Sequence, residues 1–171
     1  MLFRSPAGVW TSIDGTSWTE APADADLVDG QLVSIAASNG VLVAVGFGTP
    51  LVSNDGLTWR KVVLPGAGGT QYAVTAGGPG FVAVGSRSLG AMRANAIVWT
   101  STDGSAWTQV PDHPDFALAE MHGVAAADGR IVAVGYANDE ERNLFAGPAA
   151  DRKSTRLNSS HGYQSRMPSS A

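Results

Sequence analysis

Three stretches of the chain, Trp10-Thr-Ser-Ile-Asp-Gly-Thr-Ser-Trp18, Leu51-Val-Ser-Asn-Asp-Gly-Leu-Thr-Trp59 and Trp99-Thr-Ser-Thr-Asp-Gly-Ser-Ala-Trp107, are copies of one unit. A second unit alternates with it: Asn39-Gly-Val-Leu-Val-Ala-Val-Gly46, Gly78-Pro-Gly-Phe-Val-Ala-Val-Gly85 and Asp128-Gly-Arg-Ile-Val-Ala-Val-Gly135. Asp14, Asp55 and Asp103 stand 41 and 48 residues apart, the longer step holding an insertion around Arg87 to Ala96. A period in the forties with four strand-like segments per unit predicts propeller blades.

Each part of the repeat has a physical reason. Asp-Gly between strand-like flanks signals a hairpin, because glycine reaches positive φ without steric cost. The Asp carboxylate accepts bonds from turn amides, and the Ser two positions earlier ties the same turn from the other side. The Trp that follows offers a large flat surface to pack against the next sheet. Val-Ala-Val-Gly and its flanks are apolar on both alternating faces, which implies a strand buried on both sides, as when one blade stacks between two others. The recurring Ala44, Ala83 and Ala133, followed by Gly46, Gly85 and Gly135, suit strands crowding toward a narrow axis.

The pattern Ser-x-Asp-Gly-x-(Ser/Thr)-Trp resembles the Asp-box, or bacterial neuraminidase repeat, of sialidase-like propellers. Ser12, Asp14, Gly15, Ser17 and Trp18 match it, as do Ser53, Asp55, Gly56, Thr58 and Trp59. The third copy matches at Ser101, Asp103, Gly104 and Trp107 but carries Ala106 where Ser or Thr is usual, so that turn is expected to be tied less well. All three lack the extra residue that the family often has between Asp and Gly. The resemblance implies an all-β fold, a partial β-propeller of about three blades' worth of four-stranded antiparallel sheets. It is divided into an outer half blade over residues 9–20, blades over 32–63 and 72–110, and an inner half blade over 121–136. Propellers typically use about 4–8 blades, so the expected parent is longer, and an open arc is expected to be poorly soluble or to self-associate through its uncovered end faces.

The ends of the chain differ in kind from the repeat. Asp151-Arg-Lys-Ser-Thr-Arg-Leu-Asn-Ser-Ser-His161 resembles a translated short-read sequencing adapter, and Leu2-Phe3-Arg4-Ser5 resembles the end of the opposite one. Residues 1–5 and 151–171 are therefore expected to be adapter-derived, the latter as a disordered tail, with 6–150 the natural segment. On that reading the sequon Asn158-Ser159-Ser160 and the faint sialidase echo Phe3-Arg4-Ser5-Pro6 carry no weight. Those ends hold five of the 11 basic residues and one of the 15 acidic ones, leaving six against fourteen and a net charge of −8 in place of −4. That balance argues against a nucleic-acid partner. Gly30 to Asn54 is free of charge, but Ser38-Asn39-Gly40 and Thr49-Pro50 punctuate it, so it reads as strands and turns and not as a membrane span.

Catalytic and metal-binding groups are harder to find. The resemblance makes the Asp-box aspartates structural, on the outer rim. Asp24-Ala-Asp26-Leu-Val-Asp29-Gly30 has the wrong acidic spacing for a calcium loop and no distal Glu, and no other metal or cofactor is expected. His113 and His122 lack a third ligand for a metal. A sialidase would need three pocket arginines, a Tyr–Glu nucleophile pair and an Asp acid. Arg60 and Arg130 are not placed for such a pocket, Arg142 sits in a charged loop, and no glutamate is evidently paired with Tyr72 or Tyr136. The candidate binding residues are Arg87 and Arg93 in the insertion, read as a recognition loop, and His122 at the start of an inner strand. The expected function is a non-catalytic scaffold or binding module for a protein or glycan. The resemblance implies a bacterial parent that is secreted, periplasmic or at the cell surface. The alternative is a piece of a sialidase-like glycoside hydrolase with its catalytic residues in other blades.

Overall fold

The computed structural model describes residues 7–22, 26–27, 30–66, 68–78 and 80–137, all within the unit Met1–Asn138. The adapter-like ends and Arg142 lie outside the described residues. The described residues are all-β and form four antiparallel sheets in sequence order, the arrangement of a partial propeller. The first sheet pairs β1 (Trp10–Thr11) with β2 (Thr19–Glu20). The second runs β3 (Gly30–Ser38), β4 (Val41–Gly48), β5 (Leu51–Ser53) and β6 (Arg60–Lys61) as a meander. The third repeats that order with β7 (Thr70–Gly77), β8 (Gly80–Gly90), β9 (Arg93–Ser101) and β10 (Trp107–Gln109). The fourth pairs β11 (Ala119–Ala127) with β12 (Arg130–Ala137). Among the described residues no helix is long and apolar enough to cross a membrane, which says nothing about spanning by strands.

The sheets stack through alternate faces of the Val-Ala-Val strands. Side chains alternate sides along a strand with period two. On β4, Val43 and Val45 join the core cluster that holds Phe81, Ala83, Ile97, Trp99 and Trp107 of the third sheet. Ala44, between them, belongs to the opposite cluster with Leu27, Leu51 and Trp59, against which Ala7 and Val9 pack. On β8, Ala83 faces back while Val82 and Val84 meet Met121, Val124 and Ala133 of the fourth sheet. The third sheet and the central strands β4 and β5 of the second are thus buried on both faces. The Ser34 hydroxyl also bridges sheets, accepting a 3.1 Å bond from the Val74 amide.

Equivalent residues at the two ends of the stack lack this cover. Trp59 is 3% exposed but its equivalent Trp18 is 62%, and Trp99 is 1% exposed but Trp10 is 56%. Val43 is 1% exposed and its equivalent Val132 is 59%. The direction of the tryptophan packing corrects the expectation from sequence. Trp59 and Trp107 pack against the preceding sheet, not the next one, because each lies on the same face as the Ala of its own Val-Ala-Val strand.

The glycine that closes each Val-Ala-Val-Gly unit also has a sharper reason than crowding. The inner strands β3, β7 and β11 each shift register by a bulge at one repeat position, between Leu32 and Ser34, Gln71 and Ala73, and Met121 and Gly123. A Cβ on Gly46, Gly85 or Gly135 would overlap the carbonyl oxygen of Gln31, Thr70 or Glu120 on the bulged strand. The bulge and the glycine are one device, and it re-aims the extra residue on each inner strand.

The insertion around Arg87–Ala96 is ordered strand and not an open loop. β8 and β9 continue as a ribbon to the pair Gly90↔Arg93, closed by Ala91 and Met92 at φ of 49° and 59°. Two successive residues with positive φ favour Asn-Gly. Replacing Ala91 by Asn and Met92 by Gly is therefore expected to stabilise the ribbon by about 1 kcal/mol. Met92 is fully exposed, so no packing is lost. The gain is measurable as slower amide exchange across the β8–β9 tip.

Candidate functional site

The Asp-Gly turns sit at the outer side of the sheets, between the third and fourth strands. In the first, Asp14 Oδ1 accepts from the Thr16 and Ser17 amides at 2.8 and 2.7 Å. Ser12 Oγ accepts from the Gly15 amide at 2.8 Å and donates to Asp14 at 3.0 Å. Asp55 with Ser53, and Asp103 with Ser101, repeat the pattern within 0.2 Å. Each following indole closes its turn by donating to the glycine carbonyl: Trp18 to Gly15, Trp59 to Gly56 and Trp107 to Gly104. Ala106 leaves the main-chain bonds of the third turn unchanged, and the missing hydroxyl takes with it only a side-chain contact to the carboxylate.

These bonds favour the ionised carboxylate. The Thr58 and Leu57 amides, with Ser53, hold Asp55 down at about 2. Bonds from the Ser17 and Thr16 amides and Ser12 hold Asp14 lower still, and those from Ala106 and Ser105 lower Asp103. A depressed folded-state value means stability that is complete above the unfolded value of about 4 and lost as pH falls toward the folded value. Thermal midpoints are expected to be flat down to about pH 4 and to drop between about pH 4 and 2. Asp55→Asn is expected to shrink that acid-side drop.

The inner strands carry a different set of groups. β7 lies against both β3 and β11, so these three strands line the axis of the arc. Their bulged positions are Val33, Tyr72 and His122. The Tyr72 and His122 rings stack at 4.2 Å with an 8° interplanar angle. Phe47 meets Tyr72 edge-on at 5.9 Å, and Tyr136 meets His122 edge-on at 5.0 Å. Four rings from three sheets therefore form a continuous row at one end of the inner strands.

Polar groups border this row. Glu120 Oε2 lies 3.1 Å from His122 Nε2. Ser86 Oγ is 3.3 Å from Tyr72 Oη and 3.5 Å from Glu120 Oε2, so a glutamate does share a partner with Tyr72, which linear spacing had not revealed. A cleft of about 570 Å³ is lined by Thr70, Tyr72, Ser86, Arg87, Arg93 and Glu120 among others. Arg87 is steadied by Asp112 at 3.1 Å. The structure thus brings Arg87, Arg93 and the Glu120–His122 pair to one place, through the ribbon on one side and the bulge on the other.

Other sequence candidates go elsewhere. Arg60 donates to Ser105 Oγ at 2.7 Å across the outer rim, and Arg130 is exposed beside the Asp128-Gly129 turn. His113 accepts from the Asp115 amide at 3.2 Å and caps the 3₁₀ turn Pro114–Phe116, so its contacts do not overlap those of His122. Asp24 and Asp29 lie outside the described residues, and Asp26 pairs with Lys61 at 3.7 Å. Among the described residues no three His, Asp or Glu side chains gather as a metal set would. Phe47, Ser86, Glu120 and Tyr136 were not singled out as binding residues in the sequence. The signal for most of them is register: counting back 13 residues from the closing Gly of each Val-Ala-Val-Gly aligns Tyr72 with His122, and the residue just after that Gly aligns Phe47 with Ser86 and Tyr136. No family model matches the chain, and no curated protein matches it.

Proposed function

We propose that this chain is part of a non-catalytic propeller scaffold of the Asp-box kind, from an exported bacterial protein, and that it binds a carbohydrate at the inner-strand mouth. The row Phe47–Tyr72–His122–Tyr136 beside Arg87, Arg93 and Glu120 carries this reading. Aromatic faces give an apolar platform for the C–H face of a sugar ring, and charged and hydroxyl groups at its edge fix orientation through hydrogen bonds. The three Ser-Asp-Gly-Trp turns support the family reading. A glycan array followed by calorimetry on the best hit tests it. Tyr72→Ala is expected to weaken binding by about tenfold, while Arg130→Ala, away from the mouth, leaves it unchanged. Glycan binding indifferent to Tyr72, or none on the array, overturns the carbohydrate reading and leaves a protein ligand as the form to pursue.

One observation favours a second reading, a sialidase-like hydrolase completed by other blades. Tyr72 and Glu120 share Ser86, an arrangement that would suit an activated phenol. Release of the reporter from a fluorogenic sialoside, abolished by Tyr72→Phe, would select it over the scaffold.

A further inference from the structure

The two ends of the stack are complementary halves of one blade. β1 and β2 hold the repeat positions of β5–β6 and β9–β10, while β11 and β12 hold those of β3–β4 and β7–β8. In both full blades the second strand meets the third in one register. It reads Leu42↔Ser53, Val43↔Val52 and Ala44↔Leu51 in one blade, and Phe81↔Ser101, Val82↔Thr100 and Ala83↔Trp99 in the other. Among the described residues, β12 pairs only with β11 and β1 only with β2.

The backbone of β1 is already set for a further neighbour. The Val9 carbonyl accepts from the Ala21 amide, as Pro50 does from Val62 and Val98 from Val110. Backbone groups alternate sides along a strand, so the N–H and C=O of Trp10 point to the open edge. In the full blades the equivalent residues, Leu51 and Trp99, are the ones opposite Ala44 and Ala83.

We propose that β12 of one chain pairs with β1 of a second copy in the register Ile131↔Ser12, Val132↔Thr11 and Ala133↔Trp10, joining two half-sheets into a four-stranded blade. The interior of the molecule shows what such a joint covers. Trp10 and Trp18 of the second copy would take the face that Trp99 and Trp107 fill inside the stack. Val132 and Val134 would be buried against the second copy's next sheet, as Val43 and Val45 are buried here. The described residues of each copy hold two full blades and two halves, hence three blades' worth. Joined in this way, the described residues of two copies make six blades, within the roughly 4–8 that propellers use, where those of one copy make three. A head-to-tail contact that closes after two copies gives a ring and not a filament. The second copy would also continue the mouth beyond Tyr136, with its own Val33 and Phe47.

The chain lacks cysteine, so cross-linking reads the register directly. Thr11 and Val132 would form a pair outside the hydrogen-bonded positions, with Cα atoms about 4.5 Å apart, within disulfide reach. The full chain is expected to sediment as a dimer. An oxidised equimolar mixture of Thr11→Cys and Val132→Cys chains is expected to give the mixed dimer about tenfold faster than either homodimer. Val134→Cys, two residues out of register, is expected to lose that advantage over its homodimer. Ile131→Pro, which removes an edge-facing N–H that β11 does not use, is expected to shift the dimer to monomer. A chain that stays monomeric, polymers of unlimited length, or equal cross-linking through Val134→Cys overturns the proposal.

Discussion

Trp99→Ala is expected to cost about 4 kcal/mol, most of the stability of a domain at the low end of the ordinary range of about 5–15 kcal/mol. Trp99 is among the largest fully buried side chains, in the cluster that joins the second and third sheets. Truncation opens a cavity in the cluster between the second and third sheets and removes the 3.0 Å bond that the indole donates to the Pro65 carbonyl. The equivalent Trp10→Ala is expected to change stability by less than about 1 kcal/mol, because that indole is more than half exposed. The two substitutions are chemically identical and sit at the same repeat position. Urea titrations at a dilution where association makes no contribution separate them. Equal costs would mean that blade stacking is not what holds the fold.

Gly85→Ala is expected to cost about 3 kcal/mol or more for a single added methyl. The added Cβ would overlap the Thr70 carbonyl oxygen and press on Gln71 Cα at 3.0 Å, both backbone atoms that cannot swing away. Relief would require undoing the bulge, which would turn Tyr72 away from His122 and break the aromatic row. Gly129→Ala is the control. Its φ of 73° strains any side chain, but nothing lies within 4 Å of the new methyl, so the cost is expected near 1 kcal/mol. Chemical denaturation measures both, and the row itself can be followed by the ring-current shift of the His122 protons.

The two substitutions mark what the sequence can and cannot disclose. Blade stacking was legible because a strand buried on both faces shows no polar alternation, and three copies of Val-Ala-Val-Gly repeat that signature. The Ser-Asp-Gly turns were legible because their bonds are local, between residues two and three apart. The direction in which Trp59 packs was not legible. It depends on which face of the sheet the outer strand presents, and that is set by pairing across the blade. The candidate site was hidden for a related reason. A bulge changes which way Tyr72 and His122 point without changing the spacing of apolar residues, so periodicity read straight along β7 and β11 misses the row they make. Arg87 and Arg93 could be picked out as an insertion, but their meeting with Glu120 depends on a ribbon of β8 and β9 folding beside the next inner strand.

The stacking of blades through alternate faces of one strand underlies the fold, the site and the end-to-end joint alike. It is tested most directly by nuclear Overhauser contacts from the methyl groups of β4. The expected result is that Val43 and Val45 methyls contact the Trp99 and Trp107 rings while the Ala44 methyl, between them, contacts Trp59. Contacts from Ala44 to Trp99, or from Val43 and Val45 to Trp59, would put the blades in a different order and contradict it.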